Sequence, residues 1–313
     1  MKADHRIRDA EARLFARSRL QPEESFVDLS SAKVRLRVLS AGTGPPLVML
    51  HGVGLAAAIW APWLADLAGY RAHLVELPGH GLSGPAAYRP GAVRGHSLAL
   101  MDDLLDALGL ASAPVVGHSL GGMLALWHAA ARPGRIASLV VIGEPAVALP
   151  GAAVRMPLSL LTVPGLGEAV LRTPAPRPVF RRLMSQGLSP AAAAAMPDEL
   201  LDVLRLAARR PGNARTVASL MHAIDGFRRP RPASVMTGSE LGRITAPTLF
   251  CLGTGDPFLS PAQARPSVSR IPGAVLREVP GGHGPWLEDP AGCATLVTSH
   301  LTATGFAPAS QPA

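Results

Sequence analysis

The order of short apolar runs and helix-like stretches is the feature that most restricts the fold of this chain. Several runs have the length and the apolar or alternating character of β-strands; they lie at residues 34–39, 47–50, 72–77, 115–116, 138–142, 248–252 and 274–279. Helix-like stretches at 96–108, 120–131 and 290–301 alternate with them. Strands that alternate with helices form parallel sheets. The sequence therefore predicts an α/β fold with a mostly parallel sheet, in which the alternating run 34–39 is an edge or half-exposed strand.

One long segment, residues 147–241, interrupts this alternation. It has no strand-like run and is rich in proline, alanine and arginine. We interpret it as a helical insertion, with helices expected at 155–172, 178–187, 197–209 and 213–225. The remaining boundaries predict a leader or helix at 1–23, a main domain at 24–146 and 242–306, and a disordered tail at 307–313.

The motif G-H-S-L-G at residues 117–121 is the strongest chemical signal in the chain. Three fixed positions alone are weak evidence, but an apolar strand precedes this motif and a helix pattern begins at it. That setting is typical of a nucleophile elbow, in which a tight turn exposes the serine at the end of a strand. A similar string at 95–99 lacks the last glycine and any preceding strand. Ser119 is therefore the predicted nucleophile, and Ser97 is interpreted as a helix residue.

A serine hydroxyl needs a base, and His283 is the best candidate among the histidines. It lies in G-G-H-G-P, between the last strand and the last helix, where the glycines leave room for a close approach to Ser119. The base in turn needs a carboxylate to orient it. Asp256, which follows the strand 248–252, is preferred. Glu144, which follows the strand 138–142, stays open as the alternative acid.

The predicted site also needs backbone donors for a developing negative charge, because losing one such donor costs about 2.7–4 kcal/mol. The N–H groups of Leu120, directly after the nucleophile, and of Val53, in the loop after the strand 47–50, are the candidates. His222, in the helical insertion, is a candidate for substrate binding. The sequence has no metal-ligand cluster and no phosphate-binding loop, so no metal or cofactor is expected.

These features together resemble the α/β-hydrolase superfamily, in its capped serine esterase or lactonase branch. The resemblance covers residues 24–304. Four segments in a fixed order support it: L-H-G-V-G at 50–54, E-L-P-G-H-G-L-S at 76–83, G-H-S-L-G-G at 117–122 and G-G-H-G-P-W-L-E-D-P at 281–290.

The resemblance implies an eight-stranded sheet with helices on both faces and a helical cap inserted after strand six. It implies Ser119, Asp256 and His283 as a catalytic triad, in that chain order. Related dehalogenases and epoxide hydrolases have aspartate at the elbow, which Ser119 argues against. Some lactone-cleaving members take their acid from the position of Glu144, so the acid is less certain than the nucleophile.

The sequence therefore predicts a serine hydrolase that cleaves a carboxylic ester or a lactone through an acyl-enzyme. Two alternatives stay open. The same triad serves C–C bond hydrolases, amidases and acyltransferases, with a perhydrolase side activity as a variant. The second alternative is a non-catalytic ligand-binding protein on a hydrolase scaffold.

Composition restricts the partners. The formal net charge is +8, and the basic excess is nearly all arginine, because Lys2 and Lys33 are the only lysines. The arginines form no block of like charge, so nucleic-acid binding is not expected. The charged N-terminus and the absence of an apolar run of about 18 residues predict a cytoplasmic protein with no membrane partner. We expect a small apolar ester or lactone as the substrate, and a homodimer stays open.

Overall fold

The computed structural model describes residues 2–227 and 229–309. Its strands are β1 Glu23–Leu29, β2 Val34–Ala41, β3 Pro46–Leu50, β4 Arg71–Glu76, β5 Ala113–His118, β6 Ile136–Ile142, β7 Thr248–Gly253 and β8 Val275–Val279. They form one eight-stranded sheet in the order β1-β2-β4-β3-β5-β6-β7-β8. The pairs β1–β2 and β2–β4 are antiparallel, and the others are parallel. The predicted mostly parallel α/β sheet is confirmed.

Helices cover both faces of this sheet. They are α1 Lys2–Arg17, α2 Val93–Ala107, α3 Leu120–Ala131, α4 Leu166–Arg172, α5 Arg177–Gly187, α6 Pro190–Ala195, α7 Asp198–Ala208, α8 Pro211–Ile224, α9 Gly238–Leu241, α10 Pro261–Val268 and α11 Pro290–Ala303. Residues of α2, α3, α8 and α10 share one apolar core, and residues of α1, α6, α7 and α11 share the other. Along β3, Val48 and Leu50 enter the first core while Leu47 and Met49 enter the second. This alternation explains why the strand is apolar throughout.

The prediction that 34–39 is an edge or half-exposed strand is wrong. This stretch belongs to β2, which lies between β1 and β4. Arg37 is only 3% exposed, because its guanidinium group binds the carboxylates of Glu11, Glu24 and Glu76. An arginine in an alternating run predicts a solvent-exposed face of the strand only when no buried carboxylate pairs with its charge.

The chain between β6 and β7 adds no strand to the sheet in its described part. It contains a 3-10 helix at Leu158–Thr162 and the helices α4 to α9. The single helix expected at 155–172 is divided, because Pro164 and Gly165 separate the 3-10 helix from α4. The run of alanines at 191–195 lies in a short helix of its own, α6.

The two ends of the described chain contact other elements. Helix α1 connects to the inserted segment, since Asp4 pairs with Arg210 at 3.0 Å and Arg17 with Glu199 at 3.5 Å. Near the other end, the N–H of Ala309 donates to the carbonyl of Gly69 at 2.8 Å. Residues 310–313 of the predicted disordered tail lie outside the described residues. None of the helices in the described ranges is long and apolar enough to cross a membrane.

The buried Arg37 makes a testable contribution to stability. Arg37→Met leaves the wholly buried carboxylate of Glu76 without its cation, so we expect the free energy of unfolding to fall by about 3–5 kcal/mol. Arg35→Met, on the same strand, is the control, because Arg35 and its partner Asp28 are largely exposed and such pairs contribute less than about 1 kcal/mol. Urea titration measures both variants. Equal losses in the two would contradict this account.

Candidate active site

Ser119 lies in a strained turn between β5 and α3. Its backbone has φ 50° and ψ −112°, a region that residues with side chains rarely adopt. The turn is sharp because the neighbouring glycines allow close packing. A Cβ on Gly121 would lie 2.2 Å from the carbonyl oxygen of Leu50, and one on Gly117 would lie 2.6 Å from the backbone nitrogen of Gly122. Close packing therefore explains the two glycines of the motif at 117–121. The turn positions Ser119 at the carboxyl end of the sheet.

The two predicted backbone donors lie beside this turn. Leu120 is the first residue of α3, where helix N–H groups have no partner within the helix. Val53 lies in the loop after β3 and lines the same cavity as Ser119. Among the described residues, neither N–H group has a recorded hydrogen-bond partner. Both are therefore free to bind an oxyanion.

Two buried histidines hold the loop that carries Val53. The N–H of Gly54 donates to His80 Nε2 at 3.0 Å, and the N–H of Leu77 donates to His51 Nε2 at 3.1 Å. The Nδ1 atom of each ring faces a backbone carbonyl oxygen, so each ring is the neutral tautomer protonated at Nδ1. Burial lowers the pKa of both rings, that of His80 to about 4. The sequence did not predict that His51 and His80 hold this loop, because their hydrogen bonds join segments that are distant in the chain.

His283 and Asp256 form a buried pair. The Nδ1 atom of His283 lies 2.8 Å from Oδ2 of Asp256, which leaves Nε2 without a proton and able to act as a base. Burial disfavours the charged form of His283, but the carboxylate of Asp256 outweighs it and raises the pKa of the ring. Burial likewise opposes ionisation of Asp256, but the attraction to His283 and the hydrogen bonds lower its pKa.

The backbone of His283 is fixed from two sides. Its N–H donates to the carbonyl of Leu188, in the inserted segment, at 2.7 Å. Its own carbonyl accepts a hydrogen bond from His118 Nε2 at 3.0 Å. Phe258 packs edge-on against the ring, with centroids 4.6 Å apart. His118 and Phe258 were not among the predicted site residues, and only the adjacency of His118 to Ser119 could have pointed to it.

Glu144 contacts the pair of His283 and Asp256 through its backbone. Its backbone N–H donates to Asp256 Oδ2 at 2.9 Å, and its Oε1 accepts from the N–H of Val147 at 2.8 Å. In the described part of the chain, Asp256 is the carboxylate that is hydrogen-bonded to His283. Burial raises the pKa of Glu144 to about 8; His283 opposes this rise and Asp256 adds to it.

An apolar cavity of about 420 Å³ joins these groups. Ser119, His283, Glu144 and Val53 lie on its wall, and residues of the 3-10 helix at Leu158–Thr162, of α4, α5, α7 and α8, and of loops such as the one with Phe258 contribute to the rest. Its volume is within the range of sites for small organic ligands. Ser119 and His283 share this wall without a recorded direct hydrogen bond, a contact that commonly tightens only when substrate binds.

The structure places His222 away from the lining of this cavity. Its Nδ1 atom lies 2.9 Å from the carbonyl oxygen of Thr162. Val217, Met221 and Ile224 line the cavity instead. These three share one face of α8 by their spacing of four and three residues, and His222 lies off that face.

No group of three or more His, Cys, Asp or Glu side chains in residues 2–227 and 229–309 is arranged to hold a metal ion. The polar side chains on the cavity wall include Ser119, His283 and Glu144.

The chain is similar to known hydrolases. It is 33% identical over 273 residues to a pimeloyl-[acyl-carrier protein] methyl ester esterase from Aromatoleum aromaticum, which spans 81% of this chain and 96% of that protein. It is 29% identical to a 2-hydroxy-6-oxononadienedioate/2-hydroxy-6-oxononatrienedioate hydrolase from Cupriavidus pinatubonensis, over 80% of this chain and 85% of that protein.

Solved structures and a family model agree with this similarity. Carboxylesterase CesB (YbfK) from Bacillus subtilis superimposes with a TM-score of 0.77 over 97% of this chain and 99% of its own, at 20% sequence identity, which shows a shared fold. The family described as the alpha/beta hydrolase fold matches residues 45–290. Since this match covers most of the chain, the protein belongs to the alpha/beta hydrolase family.

Proposed function

We propose that this protein is a serine hydrolase that cleaves a carboxylic ester or lactone, with Ser119, His283 and Asp256 as its catalytic triad. The observation that carries the proposal is the hydrogen-bonded pair of His283 and Asp256 on the same cavity as a serine in a strained turn. The similarity to a methyl ester esterase and to a carboxylesterase supports the ester bond as the target.

The reaction follows from the positions of these groups. His283 Nε2 takes the proton of Ser119 Oγ as the oxygen attacks the carbonyl carbon. The N–H groups of Val53 and Leu120 bind the resulting oxyanion, and Asp256 stabilises the imidazolium. The leaving alcohol takes the proton from His283, which forms the acyl-enzyme. A water activated by His283 then attacks the acyl carbon, and the acid is released from Ser119.

The lining of the cavity supports an apolar substrate. Side chains such as Leu158, Leu161, Met184, Val217 and Phe258 cover most of its wall. Because helices of the segment 147–241 supply many of them, we also propose this segment as a cap that shapes the acyl or alcohol site.

Removal of the nucleophile tests the proposal directly. We expect Ser119→Ala to lower turnover of a short p-nitrophenyl ester by at least about 10⁴-fold, because no other group forms the acyl-enzyme. Ser97→Ala is the matched control, since Ser97 sits in α2 with its hydroxyl bonded to the carbonyl of Val93, and its turnover should stay that of the parent. Near-parental turnover in Ser119→Ala sinks the proposed nucleophile.

A second comparison assigns the acid. Asp256→Asn should lower kcat by about 10³–10⁴-fold, because the orientation of His283 and the stabilisation of its imidazolium are lost, whereas Glu144→Gln should be far milder. The pH dependence of kcat/KM gives a second test of the acid, through the direction in which its acid limb moves. A base with a raised pKa loses activity as pH falls through that pKa, so the acid limb of kcat/KM should lie above about 6.5 in the parent and move lower in Asp256→Asn. A severe loss confined to Glu144→Gln would reverse the assignment.

One alternative has a specific observation in its favour. The similarity to the hydrolase from Cupriavidus pinatubonensis supports a C–C bond as the target of the same triad. Amidase, acyltransferase or a purely ligand-binding role have no observation of their own on this structure. Product analysis on ester, lactone and 2-hydroxy-6-oxo-dienoate substrates, with and without an alcohol acceptor, separates these reactions.

A further inference from the structure

The charge inventory of the cavity is unusual for a chain with a net charge of +8. Within the described residues, its wall contains no arginine and no lysine. Besides Glu144, the titratable groups there are three histidines. Burial lowers the pKa of His80 and His118, so both are neutral, and the positive charge that His283 acquires faces the carboxylate of Asp256. A negative group on a ligand in the cavity would therefore meet no free cation from residues 2–227 and 229–309.

Glu144 is held on this wall by a strained backbone. Ala146 and Val147 both have positive φ, at 40° and 66°, although neither is glycine. This turn directs the N–H of Val147 onto Glu144 Oε1. Strain at consecutive residues persists where the surroundings enforce it, and it concentrates at functional sites. The turn thus keeps a carboxyl group on an apolar surface beside the reacting atoms.

Two ionisable groups face Glu144, namely His283 from the loop after β8 and Asp256 from the loop after β7. Asp256 is ionised and paired, and two nearby carboxylates disfavour each other's charge. Burial is the main cause that raises the pKa of Glu144, to about 8; His283 opposes this rise, and the carboxylate of Asp256 adds to it. At neutral pH Glu144 is therefore mainly an uncharged carboxyl group, and it gains a negative charge as the pH rises.

We propose that this site takes only esters whose acyl and alcohol groups are uncharged, and that Glu144, once ionised, strengthens the selection against substrates bearing a carboxylate. The inference rests on the proposed ester hydrolysis and names its substrate class. An anionic substrate loses its hydration in the cavity, and the described lining residues offer no cation to replace it. When Glu144 ionises, it adds direct repulsion to that loss.

A matched pair of substrates tests this. p-Nitrophenyl hexanoate and the mono-p-nitrophenyl ester of adipic acid differ only in a terminal methyl or carboxylate group. After division by their rates of hydrolysis with hydroxide, we expect kcat/KM for the neutral ester to exceed that for the anionic ester by about 100-fold or more. Similar values for the two esters overturn the inference and leave ester hydrolysis intact. No turnover of either ester contradicts the proposed function itself, and the inference with it.

The pH dependence of this ratio isolates Glu144. The protonation of His283 changes kcat/KM for both esters by the same factor, so it cancels when kcat/KM for the neutral ester is divided by kcat/KM for the anionic ester. In the parent, the preference for the neutral ester should grow between pH 7 and pH 9, as Glu144 ionises. In Glu144→Gln, which keeps the shape but cannot ionise, the ratio should not change with pH. A ratio that rises equally in the variant excludes Glu144 as the determinant.

A gain-of-function pair covers the case in which Glu144→Gln does not fold. Leu183, on α5, lines the cavity and is 39% exposed, whereas Leu166, on α4, is 43% exposed and is not among the lining residues. Leu183→Arg should raise kcat/KM for the anionic ester relative to kcat/KM for the neutral ester by about tenfold, because the arginine supplies a cation at the cavity wall. Leu166→Arg should leave the ratio at the parental value. The same ratio in both variants overturns the inference.

Discussion

The buried carboxylate of Asp256 joins three neighbouring parts of the sheet, and the candidate site depends on it. Its Oδ2 atom accepts from His283 Nδ1, after β8, and from the N–H of Glu144, after β6, while Oδ1 accepts from the N–H of Phe258. A buried charge is stable only when such bonds replace its hydration. The same bonds fix His283, the turn with Glu144 and the loop with Phe258 relative to one another.

The inserted segment takes part in this arrangement as well as lining the cavity. The carbonyl of Leu188 fixes the backbone of His283, and the hydroxyl of Ser189 donates to Glu288, which also accepts from the N–H of Gly282. Movement of this segment would therefore change the position of His283 as well as the shape of the cavity. Residues that line the cavity and residues that hold His283 are therefore connected through the same segment.

Local pattern was sufficient for part of this structure. The strand, turn and helix around Ser119 were predictable because steric limits at Gly117 and Gly121 act within a few residues. The loop position of His283 was predictable for a similar reason. The roles of His51 and His80 were not, because a histidine that accepts from a distant backbone N–H has no local signature. The burial of Arg37 was missed for the same reason, since its partners come from α1, β1 and β4.

The proposed function depends most on Ser119 being a nucleophile that His283 activates. A fluorophosphonate forms a covalent bond preferentially with a serine whose hydroxyl is activated as a nucleophile. After labelling and proteolysis, mass spectrometry should find the adduct on the peptide that contains Ser119 and not on the one that contains Ser97, and His283→Ala should abolish it. A folded protein that stays unlabelled, or one labelled at another serine, would contradict the account.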